Sequence, residues 1–192
     1  MAMLVLGLVL FLGVHSSRVV ADGWRTRMVA RVGDKPWKAV YALLAVVGFV
    51  LIVYGYGAAR QSPMVLWPQP PVAMRHIAAL LTLLAFVLVV AAYLPGNQLK
   101  ARLNHPMLLG VKLWALAHLL ANNTLADLLL FGSFLAWAVV DFASARRRDR
   151  ATGKVYPAGS GARTAITVVL GLVAWTVFAL WLHPLWIGVR PI

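Results

Sequence analysis

The sequence predicts an all-α fold: a polytopic integral membrane bundle of six transmembrane helices, with the N- and C-termini outside, on the periplasmic side. Three observations predict it. The 192 residues are 62% hydrophobic and only 12% charged, against about 25% charged in soluble domains. Six apolar runs approach the roughly 20 residues that a helix needs to cross a bilayer core. The 18 basic residues, against 5 acidic ones, fall mostly in alternate loops. Together these exclude an average soluble enzyme and a disordered chain, and the lack of Cys excludes a disulfide scaffold. No stretch is left over for a soluble domain, so residues 1–192 read as a single transmembrane domain.

The first span covers Ala2–Ala21. No basic residue precedes its apolar stretch and no small-residue cleavage site follows, so it reads as a retained helix and not a signal peptide. The second covers Lys38–Tyr56 and the third Val72–Leu94. The fourth, Pro106–Ala121, is short and carries Lys112; Asn122-Asn123-Thr124 joins it to the fifth, Leu125–Phe142, as a tight helical hairpin. The sixth covers Thr164–Ile187.

Placing the charges gives the orientation. All basic residues except Arg60, Arg75 and Arg190 lie in the first, third and fifth loops or at their borders. The positive-inside rule puts those loops in the cytoplasm, which makes the chain a multi-pass protein of the bacterial cytoplasmic (inner) membrane, bathed in membrane lipids. The net charge of +13 then needs no nucleic acid, because the basic clusters are separate loops on one membrane side and not one stripe interleaved with aromatics. Trp24 and Trp37 flank the first basic loop, while Trp67, Trp181 and Trp186 fall on the outer side, where indoles favour the headgroup zone. The loop 61–71 is apolar but broken by prolines; a segment lying in the outer interface and a plain connector with one Trp anchor describe it equally well.

The chemical toolbox is small. With no Cys and no Glu, a thiolate site and a glutamate base are excluded, which leaves five His and five Asp. Histidine inside a span is costly and is a functional hypothesis by default. His15 lies in span one, with Gly7 and Gly13 allowing close approach of a neighbour or a flat ligand, and Arg18 three residues on shares its face. His118 lies in span four, with Trp114 a turn before it and Asn122 a turn after, placed to orient the imidazole. His105 or Asn104 reads as a cap ahead of Pro106. His76 and His183 sit where interfacial histidines are ordinary. Asp127, near the outer mouth, is placed to hydrogen-bond a histidine from another helix. Two histidines on separate helices without a thiolate suit a haem or an imidazole-bound metal. By depth alone, His76, His118 and His183 form a competing outer cluster, and His15 with His105 a cytoplasmic pair.

The strings Leu10-Phe11-Leu12-Gly13-Val14-His15-Ser16, Asn104 to Asn122 with two histidines thirteen residues apart, and Phe131-Gly132-Ser133-Phe134-Leu135-Ala136-Trp137 together resemble the NnrU family of bacterial membrane proteins, over nearly the whole chain. That family has the plant 15-cis-zeta-carotene isomerase as a relative. The resemblance implies haem b held by His15 and His118, with His76, His105 and His183 as alternates. It also implies either cis–trans isomerisation of a lipid-soluble polyene such as zeta-carotene or an association with denitrification. The chain departs from the isomerase in carrying Ala115 where that enzyme has Cys, and in lacking a clear counterpart of its additional functional Asp. Two other classes stay open. A non-enzymatic membrane assembly or regulatory factor is one. The other is an S-adenosylmethionine-dependent enzyme similar to isoprenylcysteine methyltransferases, suggested by His105-Pro106 but lacking their C-terminal acidic residues.

Overall fold

The structure, a computed structural model, describes residues 1–191 and is built of helices. In order they are α1 (Ala2–His15), α2 (Ser17–Val20), α3 (Asp22–Val32), α4 (Asp34–Ala59), α5 (Val72–Tyr93), α6 (Gln98–Leu103), α7 (Pro106–Ala121), α8 (Leu125–Ala151), α9 (Gly161–Val177), a π-helical turn (Phe178–Leu182) and α10 (His183–Ile187). Four helical stretches are long and apolar enough to cross a membrane: Asp34–Ala59, Val72–Tyr93, Leu125–Ala151 and Gly161–Ile187. The chain is therefore an all-α, multi-pass membrane protein. Ala2–His15 and Pro106–Ala121 are shorter apolar helices.

The first span differs from the expected 2–21. Its helix is interrupted at Ser16, whose hydroxyl donates to the Leu12 carbonyl, and the chain restarts as the single turn α2. Fourteen residues reach only about 21 Å at 1.5 Å each, short of a core of about 30 Å. In the sixth, Pro184 has no N–H to give and its ring crowds the carbonyl four residues earlier, so the ladder loosens into the π turn just before it. Gly188, with φ 77°, then closes α10 in the left-handed conformation.

Two compact units make up the chain. Unit one holds residues 1–68 and 123–141; unit two holds 69–122 and 142–192. In unit one α1 runs antiparallel to α4 on glycine contacts. A Cβ on Gly55 would stand 2.4 Å from the Leu4 amide nitrogen, one on Gly7 2.6 Å from that of Ile52, and one on Gly48 2.8 Å from that of Phe11. Backbones touch where side chains are missing, which is how helices associate in lipid without a hydrophobic driving force. Gly13, also expected to allow close approach, meets nothing within 4 Å. The loop 61–71 is more than a plain connector. It is clamped to the start of α8: Leu66 N–H donates to Asn123 at 2.9 Å, Leu125 N–H donates to Met64 at 2.9 Å, and the Asn123 side chain donates to Trp67 O.

In unit two α5 packs on α7 and on α9. Trp175 Nε1 donates to Thr82 Oγ1 at 3.0 Å, and Gly171 lets its helix approach Val87 closely. Asn97, 1% exposed, organises the turn after α5: its amide donates to Ala91 and Leu94, and its oxygen accepts from Lys100 N–H. Gly159 presses against the backbone of Asn97, where a Cβ would lie 2.3 Å from its carbonyl carbon. That contact ties the loop before α9 to the turn after α5.

Candidate functional site

The richest arrangement in unit one surrounds His15 at the last turn of α1. Its Nδ1 lies 2.7 Å from the Phe11 carbonyl. A carbonyl only accepts, so Nδ1 carries the proton and Nε2 becomes the acceptor of the neutral ring. Aromatic rings enclose it: Phe11 at 4.2 Å, Tyr41 of α4 at 5.3 Å edge-on, and Trp137 of α8 at 6.0 Å edge-on. Phe134, one turn from Trp137, closes on Phe11 at 5.7 Å. The string Phe131–Trp137 thus supplies part of the wall around His15.

Beside this box an open groove of about 390 Å³ runs between α1–α2 and α8, lined by Leu8, Leu12, Gly13, Ala136, Trp137 and Val140 among others. Its lining is mainly aliphatic, with Ser16 and Ser133 as the hydroxyl-bearing members. The bare backbone of Gly13 forms part of the wall, which is what its missing Cβ does here in place of helix packing. Trp137 belongs to both the box and the groove, and its Nε1 is buried with no hydrogen-bond partner among the described residues. A buried polar atom without a partner is uncommon and marks a strained or incompletely satisfied site. Arg18 lies on α2, with its Nε 3.7 Å from the Asp22 carboxylate and both side chains at least half exposed.

A second polar centre in unit one was not foreseen in this form. Asp127, 5% exposed, accepts from Tyr56 at 2.5 Å and from the Thr124 hydroxyl at 2.5 Å and amide at 3.1 Å. Within this unit its partners are a tyrosine and a threonine, where a histidine was expected. Thr124 and Asp127 stand three apart at the start of α8, the spacing by which a first-turn acid and a preceding hydroxyl satisfy each other and the open amides.

In unit two, His118 repeats the state of His15: its Nδ1 lies 2.8 Å from the Trp114 carbonyl. The Trp114 ring packs against the His118 ring, tilted, at 5.2 Å. Asn122 donates to the His118 backbone carbonyl at 2.8 Å, so it ends the helix, and the Trp114 carbonyl is what orients the imidazole. His183 gives its Nδ1 to the Val189 carbonyl at 2.7 Å. The outer trio His76, His118 and His183 does not form a metal-holding group: among the described residues no three His, Asp or Glu side chains converge.

The capping role expected of His105 is also corrected. Its ring makes no cap bond. Nε2 instead meets the Asp149 carboxylate at 2.7 Å, and Tyr156 donates to the same oxygen at 2.8 Å. Asn104 spends its side chain on Ala101 and on Arg146. This cluster lies past Phe142, where the apolar run of α8 ends. Burial pushes the Asp149 carboxyl up, but the hydrogen bonds from Tyr156 and His105, with the charge of Lys154 nearby, prevail and hold it below the usual carboxylate range. Burial and the bond to Asp149 push the Tyr156 phenol up.

The sequence matches the NnrU protein family over residues 3–191. The chain belongs to the NnrU family. No curated protein and no solved structure matches it. The NnrU match takes in every histidine described above. His15 and His118 belong to different compact units, so each is assessed by the chemistry of its own ring. A haem takes one or two axial side chains, and an imidazole whose Nδ1–H is held by a carbonyl is the form in which histidine binds metal. Both rings fit that requirement.

Proposed function

We propose that this NnrU-family chain is a six-span protein of the bacterial inner membrane, with both termini periplasmic, which binds haem b, for which His15 in one unit and His118 in the other are each a candidate ligand. The observation that carries the reading is the state of these two rings. Each donates its Nδ1 proton to the carbonyl four residues earlier, which puts the lone pair of the neutral tautomer on Nε2, the atom iron would take. Arg18 would serve the haem carboxylates: its contact with Asp22 is long and exposed, and exchanging such a partner costs little. Trp114 supports one ring face of His118, and Asn122 fixes the end of its helix.

Haem iron supplies Lewis-acid or redox chemistry when bound. The chain's own contribution is a surface for a flat apolar molecule. The groove beside His15 is mostly aliphatic and open, which suits a lipid-soluble polyene arriving from the bilayer. Cis–trans isomerisation of such a polyene, with zeta-carotene as the example, is therefore the activity this reading favours over electron handling for denitrification. Ala115 holds no thiolate, so an exchange of ligands with Cys at that position plays no part.

The test is an absorption spectrum of the detergent-solubilised protein expressed with ample haem. A Soret band is expected, lost or shifted in His15→Ala and in His118→Ala. An unchanged spectrum in both variants would remove the ligand assignment, and no band in the wild-type protein would remove the class. Ala136→Phe fills the groove and should lower polyene turnover while leaving the Soret band in place. Normal turnover in that variant would move the substrate elsewhere.

A further inference from the structure

Lys112 is the cation that neither the fold nor the haem reading employs. It sits in the second turn of α7, six residues past Pro106 and so about 9 Å into the helix. Apolar neighbours flank it in sequence, and the side chain is half-buried. Its ammonium rests 3.9 Å from the centre of the Phe142 ring. Among the described residues no carboxylate lies within ion-pair distance of it. Nor does its own unit have one to spare. Of the five acidic side chains only Asp149 falls in unit two, and Asp149 is taken up by His105, Tyr156 and Lys154. A ring face attracts a cation but does not replace a counter-ion in apolar surroundings. An anion from outside the chain would supply what its own unit lacks.

The neighbours narrow what it is. Phe142 also packs edge-on against His105 at 6.1 Å, and one turn along α8 Arg146 reaches the Asn104 side chain. One amide oxygen occupies a single donor of a guanidinium that has five. Lys112 rests on the Phe142 ring, and Arg146 follows one turn further along the same helix as Phe142. One comes from the apolar stretch and the other from the basic end of α8. The same end carries Arg147 and Arg150, both exposed. An anion held here has one cation within the apolar stretch and others at the basic end of α8, with the Phe142 ring against the first. A phosphodiester on two acyl chains has that form. Basic pockets on the cytoplasmic side of helix bundles bind such headgroups.

We propose that Lys112, with Arg146, forms a site for the phosphate of an anionic glycerophospholipid at the cytoplasmic end of α7 and α8. The inference is independent of the haem reading.

The experiment compares binding of phosphatidylglycerol and phosphatidylcholine to the full-length protein by native mass spectrometry from detergent. Thermal stabilisation by each lipid is the second readout. Wild type should favour phosphatidylglycerol. Lys112→Met should weaken that preference by about fivefold, the factor for one lysine–headgroup contact, and Lys112→Arg should retain it. Arg147→Gln/Arg150→Gln should change it less, and added salt should erode their share before that of Lys112. Equal binding of both lipids by wild type, or full preference in Lys112→Met, would overturn the site. Inorganic phosphate in excess serves as a competitor. Stabilisation by free phosphate equal to that by phosphatidylglycerol would overturn the lipid assignment. If Lys112→Met does not fold, Lys112→Gln and the wild-type lipid comparison decide.

Discussion

Asp149 does more than balance the basic loop around it. In sequence it looks like a counter-charge inside a basic loop, yet it collects His105, Tyr156 and Lys154. Its carboxyl is held below the usual range, because two hydrogen bonds and a nearby cation outweigh the burial that pushes it up. A depressed carboxylate contributes stability that is present above the unfolded-state value, about 3.9, and lost as pH falls through the lower folded value. Tyr156 works in the opposite sense: its raised phenol contributes below about pH 10 and loses that contribution as pH rises through the folded value. Asp149→Asn should therefore lower the Tm at neutral pH by a few degrees. The gap to wild type should close as melts are run at progressively lower pH through the carboxylate range. A pH-independent gap would show that the ionised form is not what holds the loop. Nothing in the spacing of His105, Asp149 and Tyr156 announces this meeting, since it depends on how far the helix of Asp149 continues past its apolar end.

Among the elements, α1 and α4 carry the clearest packing argument. The three glycines Gly7, Gly48 and Gly55 let two backbones touch, and at each of them a Cβ would fall within 3 Å of a backbone nitrogen. Backbone cannot move aside as a flexible side chain does, so Gly55→Ala should cost about 1–3 kcal/mol, in the range of overpacking. The measurement is the melting midpoint of the solubilised protein. Gly13→Ala serves as the control, since nothing lies within 4 Å of its added methyl. Equal Tm losses in both variants would mean that the Gly55 contact is not what is being measured, since helix propensity alone would raise both midpoints. Sequence shows which helices exist, because apolar length fixes them: α5 matches its expected span to within a residue and α7 matches it throughout. It does not show where a helix breaks for a local reason. α1 is interrupted at Ser16, and Pro184 acts through a carbonyl one turn upstream. Apolar counting is blind to both. The candidate site divides in the same way. His15, His118 and Trp114 are visible as costly or bulky residues inside spans, whereas Tyr41 and the partnerless indole of Trp137 become informative only when α1, α4 and α8 enclose the His15 ring.

For the whole molecule, the net charge of +13 becomes an orientation argument once it is divided by loop. The basic clusters at 18–38, 100–102 and 146–163 alternate with loops that hold almost no charge, and translocating such clusters across the membrane is what the positive-inside bias opposes. The lack of native cysteine makes this directly measurable. Single cysteines at Ala158, in the loop before α9, and at Ser62, between α4 and α5, should label oppositely. In intact cells a membrane-impermeant maleimide should reach Ser62→Cys and not Ala158→Cys; in inverted vesicles the pattern should reverse. A third probe, Met1 extended by one cysteine, follows Ser62→Cys only if an even number of crossings separates the terminus from that loop. The two candidate crossings between them are α1, 14 residues long, and α4, 26 residues long. Opposite labelling of the terminus and Ser62→Cys would make α1 an interfacial helix and reduce the spans to five. Matching labelling would mean that the bilayer thins around α1 or that α2 completes its crossing, adjustments that cost only fractions of a kcal/mol per ångström of mismatch.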